Sequence, residues 1–206
     1  MSVRRRGRRP SLPAALCSAA VALALTLAGC SNDTLAQQWN EGSNKGYIGN
    51  DGTFTEYPVS DRGAAARFSG PLDTGGTFDS SSLLGKVSVI NFWYAGCAPC
   101  RAEAPILAQL DADYGDRVEF LGINVRDQAP SALAFSGSFG IQYPSILDQD
   151  NGSAVVQAYA GIVPLNAVPT TLVLDREGRV AKRILGQIQD ASVLRTLVDD
   201  VLAEGS

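Results

Sequence analysis

The spacing of apolar and polar positions divides the chain into three stretches. An apolar run extends from Leu12 to Ala28. Residues 31–66 follow, rich in Ser, Asn, Gly, Asp, Gln and Thr, with only Trp39, Tyr47, Phe54 and Tyr57 as scattered aromatics. A segment with so little apolar surface to bury reads as a flexible tether. From about residue 67 the pattern tightens into short regular elements. Arg67–Gly70 and Gly76–Phe78 read as two short strands around a Gly/Pro-rich turn, an N-terminal β-hairpin. Val87–Tyr94 is continuous, β-branched and aromatic, as expected of a strand buried on both faces.

A helix is predicted from about Ala98 to Asp113, with Ile106, Leu107 and Leu110 at helical spacing. Val118–Val125 is a second buried strand. Ser131–Phe139 and Gly152–Tyr159 read as helices, and Thr170–Leu174 as a third strand. Asp175-Arg176-Glu177-Gly178 is a turn signal, so Arg179–Leu185 returns as an antiparallel edge strand. Asp190 caps a last helix to about Ala203, apolar on one face at Val193, Leu194, Leu197, Val198 and Val201. The order β-α-β-α-β-β-α predicts an α/β fold, a central sheet flanked by helices on both sides.

The first stretch changes the picture of where the protein resides. Arg4, Arg5, Arg6, Arg8 and Arg9 precede the apolar run without an acid among them, and small residues close it. Basic, apolar and small-residue segments in that order mark a secretory signal. Leu27-Ala28-Gly29-Cys30 resembles the lipobox of bacterial lipoproteins, which implies cleavage before Cys30 and a diacylglycerol on its thiol. The expected organisation is a signal peptide at 1–29, a lipid attachment and tether at 30–66, and one domain at 67–206, anchored to the cell membrane on its extracytoplasmic side. Removing residues 1–29 takes away five arginines and no acid. It leaves 12 Lys and Arg against 21 Asp and Glu, a net charge of −9. That excess argues against nucleic acid as a partner and against binding anionic lipid by charge.

Four cysteines are present; Cys17 leaves with the leader and Cys30 is the lipid site, so the domain keeps Cys97 and Cys100 alone. Cys97-Ala98-Pro99-Cys100 falls where a buried strand becomes a helix. The first helical turn has unsatisfied N–H groups and a partial positive charge, which favour a thiolate. Pro99 fits that turn, where a missing N–H costs nothing. A zinc site needs about four ligands, and the chain has no histidine and no second cysteine pair. No metal or cofactor is expected. A disulfide closing so short a loop would stabilise little through loop entropy. Redox exchange is the chemistry these residues favour.

With these residues in view the sequence resembles the thioredoxin superfamily, specifically the TlpA/ResA-like (DsbE-type) branch of membrane-tethered thiol–disulfide oxidoreductases. The resemblance covers about residues 67–203. It rests on Gly85-Lys86, Asn91-Phe92-Trp93, Cys97-x-Pro99-Cys100-Arg101-x-Glu103-x-Pro105, Val168-Pro169-Thr170 and Leu174-Asp175-x-x-Gly178. It implies a thioredoxin-like mixed sheet with a helical insertion over residues 129–160. It also implies Cys97 as an exposed nucleophile, Cys100 as a buried resolving thiol, and Pro169 as a cis-proline beside the pair. A target chain would lie there against Val168 and Pro169 like an added strand. Ordinary thioredoxins carry a buried aspartate six residues before the first cysteine. Asn91 stands there instead, which passes the proton-handling role to Glu103, three residues after Cys100 on the same helix face. The alternative for Glu103 is an acid that merely offsets the helix dipole. Trp93 is expected chiefly in the strand core, with a part in shielding the disulfide and in substrate binding. Gly96 replaces the family's usual tryptophan before the first cysteine and so strips an aromatic wall from the docking surface.

The implied function is two-electron exchange with thiols and disulfides of exported proteins, in the reducing direction. Apocytochrome c awaiting haem attachment is one substrate in view, and a membrane thiol reductase would supply electrons. An oxidase passing electrons to a membrane partner is the rival of the same class. A non-enzymatic binding lipoprotein on the same fold is the rival of another. The Pro-x-x-x-Thr-x-x-Cys setting of a peroxidase and the Cys-x-x-x-Cys plus histidine of a copper carrier are both absent.

Overall fold

A computed structural model describes residues 54–164 and 167–205 of the 206-residue chain. The expected signal peptide, Cys30 and the tether as far as residue 53 lie outside the described residues.

The strands in chain order are β1 (Phe54–Glu56), β2 (Ser69–Pro71), β3 (Thr77–Asp79), β4 (Val87–Trp93), β5 (Val118–Asn124), β6 (Ser145–Leu147), β7 (Thr170–Leu174) and β8 (Val180–Leu185). The α-helices are α1 (Ala98–Tyr114), α2 (Ala129–Phe139), α3 (Ala154–Ala158) and α4 (Ala191–Ala203). Six strands form one mixed sheet in the order β1-β8-β7-β4-β5-β6, and β2 pairs with β3 as the separate hairpin. β4, β5 and β6 run parallel, whereas β7, β8 and β1 add antiparallel partners.

Two features depart from the sequence expectation. The domain begins earlier than residue 67: Phe54–Glu56 pairs with Ile184–Lys182 at the sheet edge. The Arg62 side chain just beyond reaches Asp175 at 3.0 Å and Glu204 at 2.7 Å. Composition hid this because β1 has three residues, too few to show a period. The insertion, besides α2 and the short α3, carries a strand: Ser145–Leu147 pairs with Gly122–Asn124. It lies between Pro144 and Asp148 and is again too short to be read from alternation.

Strand periodicity sorts the two cores. Val87, Val89 and Trp93 of β4 face a cluster built with Leu107 and Leu110 of α1, Phe135 of α2 and Leu194, Leu197 and Val198 of α4. Ile90 and Phe92 face the opposite cluster, with Phe68, Leu83, Val155 and Tyr159. β4 is thus buried on both faces along its whole length, as its unbroken apolar run requires. Its carboxyl end, in the middle of the sheet, delivers the chain to the start of α1.

Candidate active site

Residues 94–97 leave β4 as a tight turn, with the Cys97 N–H donating to the Tyr94 carbonyl at 3.1 Å. Cys97 is the N-cap of α1 and Pro99 lies in the first turn. Cys97 and Cys100 are joined as a disulfide with their Cα atoms 5.2 Å apart. The Cys100 N–H donates to Cys97 Sγ at 3.2 Å, so an otherwise orphaned helical N–H points at the sulfur. An N–H aimed at Sγ, together with the helix dipole, favours the thiolate once the bond is reduced.

The resemblance implied an open Cys97 in front of a hidden Cys100. In this disulfide form both residues are buried, at 4% and 2% exposure, with Cys97 Sγ lying over the first helical turn. Gly96, Ala98 and Pro99 around it are exposed. Behind Cys100 lies a cavity of about 10 Å³ lined by Asn91, Trp93, Leu107, Phe135 and Tyr143 among others, room for no more than one water.

Glu103, in the second turn of α1, is fully buried. The Asn91 side-chain N–H donates to Glu103 Oε1 at 2.8 Å, and the Ile188 backbone N–H donates to Oε2 at 2.8 Å. Asn91 also donates to Thr171 Oγ1 at 3.0 Å, its cross-strand partner on β7. Burial pushes the Glu103 carboxyl up to about 7, and the two hydrogen bonds only partly offset that cost.

Val168–Pro169 is a cis peptide. The β4–β7 register pairs Phe92 with Thr170, so Pro169 stands at the carboxyl end of β4, from which the cysteine loop departs. Its carbonyl accepts the Gly186 N–H at 2.8 Å. Val168 is partly exposed. Trp93 is 3% exposed, with its ring centroid 4.2 Å from that of Phe135 and its Nε1–H donating to Ser145 Oγ at 3.3 Å. It has no surface left for a substrate, which corrects its placement among substrate-binding residues. The alternation of β4 turns residue 93 toward α1 and α2.

Gly96 does not leave the surface bare of aromatic rings. A Cβ at this position would lie 3.3 Å from Tyr94 Cε2, so the Tyr94 ring already covers that space. The Arg126 guanidinium sits 4.3 Å from the Tyr94 centroid. Tyr94, Arg126, Asp127 and Ile188 complete the site. The chain order could not reveal them, since they come from loops joined only by the sheet. Among the described residues no group of three or more His, Cys, Asp or Glu side chains is placed to hold a metal ion.

The Redoxin family model matches residues 59–198, well over half of the chain. The chain belongs to the Redoxin family. This redoxin is 33% identical over 135 residues to the thiol:disulfide interchange protein HelX of Rhodobacter capsulatus, a match covering 65% of this chain and 71% of HelX. It is 31% identical to the thiol-disulfide oxidoreductase ResA of Bacillus subtilis, covering 59% of this chain and 65% of ResA. Among solved structures it is similar to a DsbF homologue from Corynebacterium diphtheriae. The TM-score is 0.64 with 32% identity, covering 72% of this chain and 92% of that one. This redoxin is therefore a thiol–disulfide oxidoreductase with a thioredoxin-like fold, and Cys97–Cys100 is its Cys-x-x-Cys pair.

Proposed function

We propose that the protein is a lipid-anchored, extracytoplasmic reductase of disulfides in exported proteins. Cys97 acts as nucleophile, Cys100 as resolving thiol, Glu103 as proton carrier, and Val168 and Pro169 as the target's docking edge. The observation that carries this reading is the position of the pair: Cys97 caps α1 and accepts the Cys100 N–H.

The reduced dithiol begins the cycle. Cys97 thiolate attacks one sulfur of a target disulfide, forming a mixed disulfide and expelling the target's other sulfur as thiolate. Cys100 then loses its proton and attacks Cys97 Sγ, closing the disulfide seen here and expelling the second target sulfur. Two electrons pass to the target, and its two thiolates take up two protons, one given up by Cys100 and one from the solvent that had received the Cys97 proton on ionisation. Glu103, near neutrality and one helical turn from Cys100, is suited to take and return the Cys100 proton. A membrane thiol reductase would restore the dithiol.

The arginine-rich start, the apolar run and Leu27–Cys30 support export and lipid attachment at Cys30. Residues 30–53 then serve as tether, since the sheet begins at Phe54. The resemblance to the ResA-like branch supports the reducing direction and apocytochrome c as one substrate. Redox titration in glutathione buffers tests the direction. A potential near about −270 mV fits a reductase, and one near about −120 mV would show an oxidase instead.

A further inference from the structure

Two guanidinium groups contact the start of the loop that carries Cys97. Arg101, one residue past Cys100, directs Nη1 to the Ala95 carbonyl at 3.3 Å and lies 5.1 Å from the Phe139 ring centroid. Arg126, just beyond β5, lies over Tyr94, whose ring covers Gly96. Both arginines are exposed. Among the described residues neither forms an ion pair, a state shared with Arg67, Arg117, Arg176 and Arg183, whereas Arg62, Lys86, Arg179, Lys182 and Arg195 are paired. Asp127 is the nearest acid in sequence to Arg126, yet its Oδ2 accepts the Ala95 N–H at 2.6 Å and the Asn124 side-chain N–H at 2.8 Å. That carboxylate is committed to shaping the loop.

An arginine stacked on a ring is held in place with its fork still open to a carboxylate. The chain beyond residue 29 is strongly acidic, so two cations without carboxylate partners at the rim of the cysteines run against its overall charge. We propose that Arg101 and Arg126 form a specificity surface that selects protein segments carrying Asp or Glu close to the reactive cysteine. The occupant is an extended acidic stretch of the target chain, with one carboxylate on each guanidinium. This rests on the redox reading above, because the target must reach Cys97.

The test uses reduced full-length protein in detergent and three disulfide-closed peptides alike except for Glu, Gln or Lys beside their cysteines. The second-order rate constant for reduction should be about fivefold higher with Glu than with Gln, and lowest with Lys. This spread should contract when salt is raised from about 0.02 to 0.5 M, and in the R101Q/R126Q double variant. Equal rates for the three peptides, a spread indifferent to salt, or an undiminished spread in the double variant would overturn the proposal. Failure to reduce any peptide would instead overturn the reductase reading beneath it.

Discussion

Glu103 is a fully buried carboxyl one helical turn from Cys100. Its carboxyl, ordinarily at 4.5, is raised to about 7 by burial. The folded form therefore keeps a proton that the unfolded chain has released between those two values. The stability this contributes is complete below about pH 4.5 and is lost as pH rises through about 7. Urea unfolding at pH 5 and pH 8 should show the native protein weakening with pH relative to Glu103→Gln. The relative change should be about 2.5 kcal/mol; parallel pH curves would rule the titration out. The roles proposed for the two cysteines predict different outcomes for their variants. Cys100→Ser should accumulate mixed disulfides with targets through Cys97, visible on non-reducing gels. Cys97→Ser should form none and lose disulfide-reductase activity in an insulin turbidity assay by at least about a hundredfold.

At the scale of elements, α1 and the end of β4 are built for each other, and β5 enforces the fit. Trp93 at the end of β4 reaches over Gly122 of β5 to Ser145 of β6. A Cβ on Gly122 would stand 2.1 Å from Ser145 Oγ and 2.8 Å from Trp93 Nε1, distances no real side chain tolerates. Gly122→Ala should therefore cost about 1–3 kcal/mol of stability and disturb the wall behind Cys100. The readout is a lower denaturation midpoint together with a changed Trp fluorescence response to reduction. An unchanged midpoint would show that β6 simply moves aside. Pro105 lies inside α1, where it removes one helical N–H, and the helix continues to Tyr114 regardless because Leu107 and Leu110 are buried against the sheet.

Across the whole molecule, the segment before residue 67 is held by charge as well as by strand pairing. The Arg62 side chain, nearly withdrawn from solvent, links Asp175 in the β7–β8 turn to Glu204 just after α4. Asp175 also receives Arg179 Nε at 2.8 Å. Removing Arg62 leaves the buried Asp175 with Arg179 alone and Glu204 without its partner. Arg62→Ala should lower stability by about 2 kcal/mol, and a chain begun at residue 67 should be less stable than one begun at 54 by at least as much. Equal thermal midpoints for the two chains would show that β1 is an ornament of the sheet rather than part of its frame.

The fold class and the reacting pair were legible in the sequence because each rests on local order. A buried strand needs a run like Val87–Trp93, and a Cys-x-x-Cys at a strand–helix junction places both sulfurs within one helical turn. The cis bond at Pro169 was expected only through resemblance, and the role proposed for Glu103 rests on the same ground, since nothing local to either residue states which groups it faces. Tertiary structure alone decided the rest. It brought Asn91 and the Ile188 N–H onto Glu103, folded Tyr94 over Gly96 under Arg126, and drew Phe54 and Arg62 into the domain. Apart from Tyr94 over Gly96, those contacts join residues from 12 to 142 positions apart. Hydrophobic period reports which face of an element is buried, and not which distant polar group will meet it there.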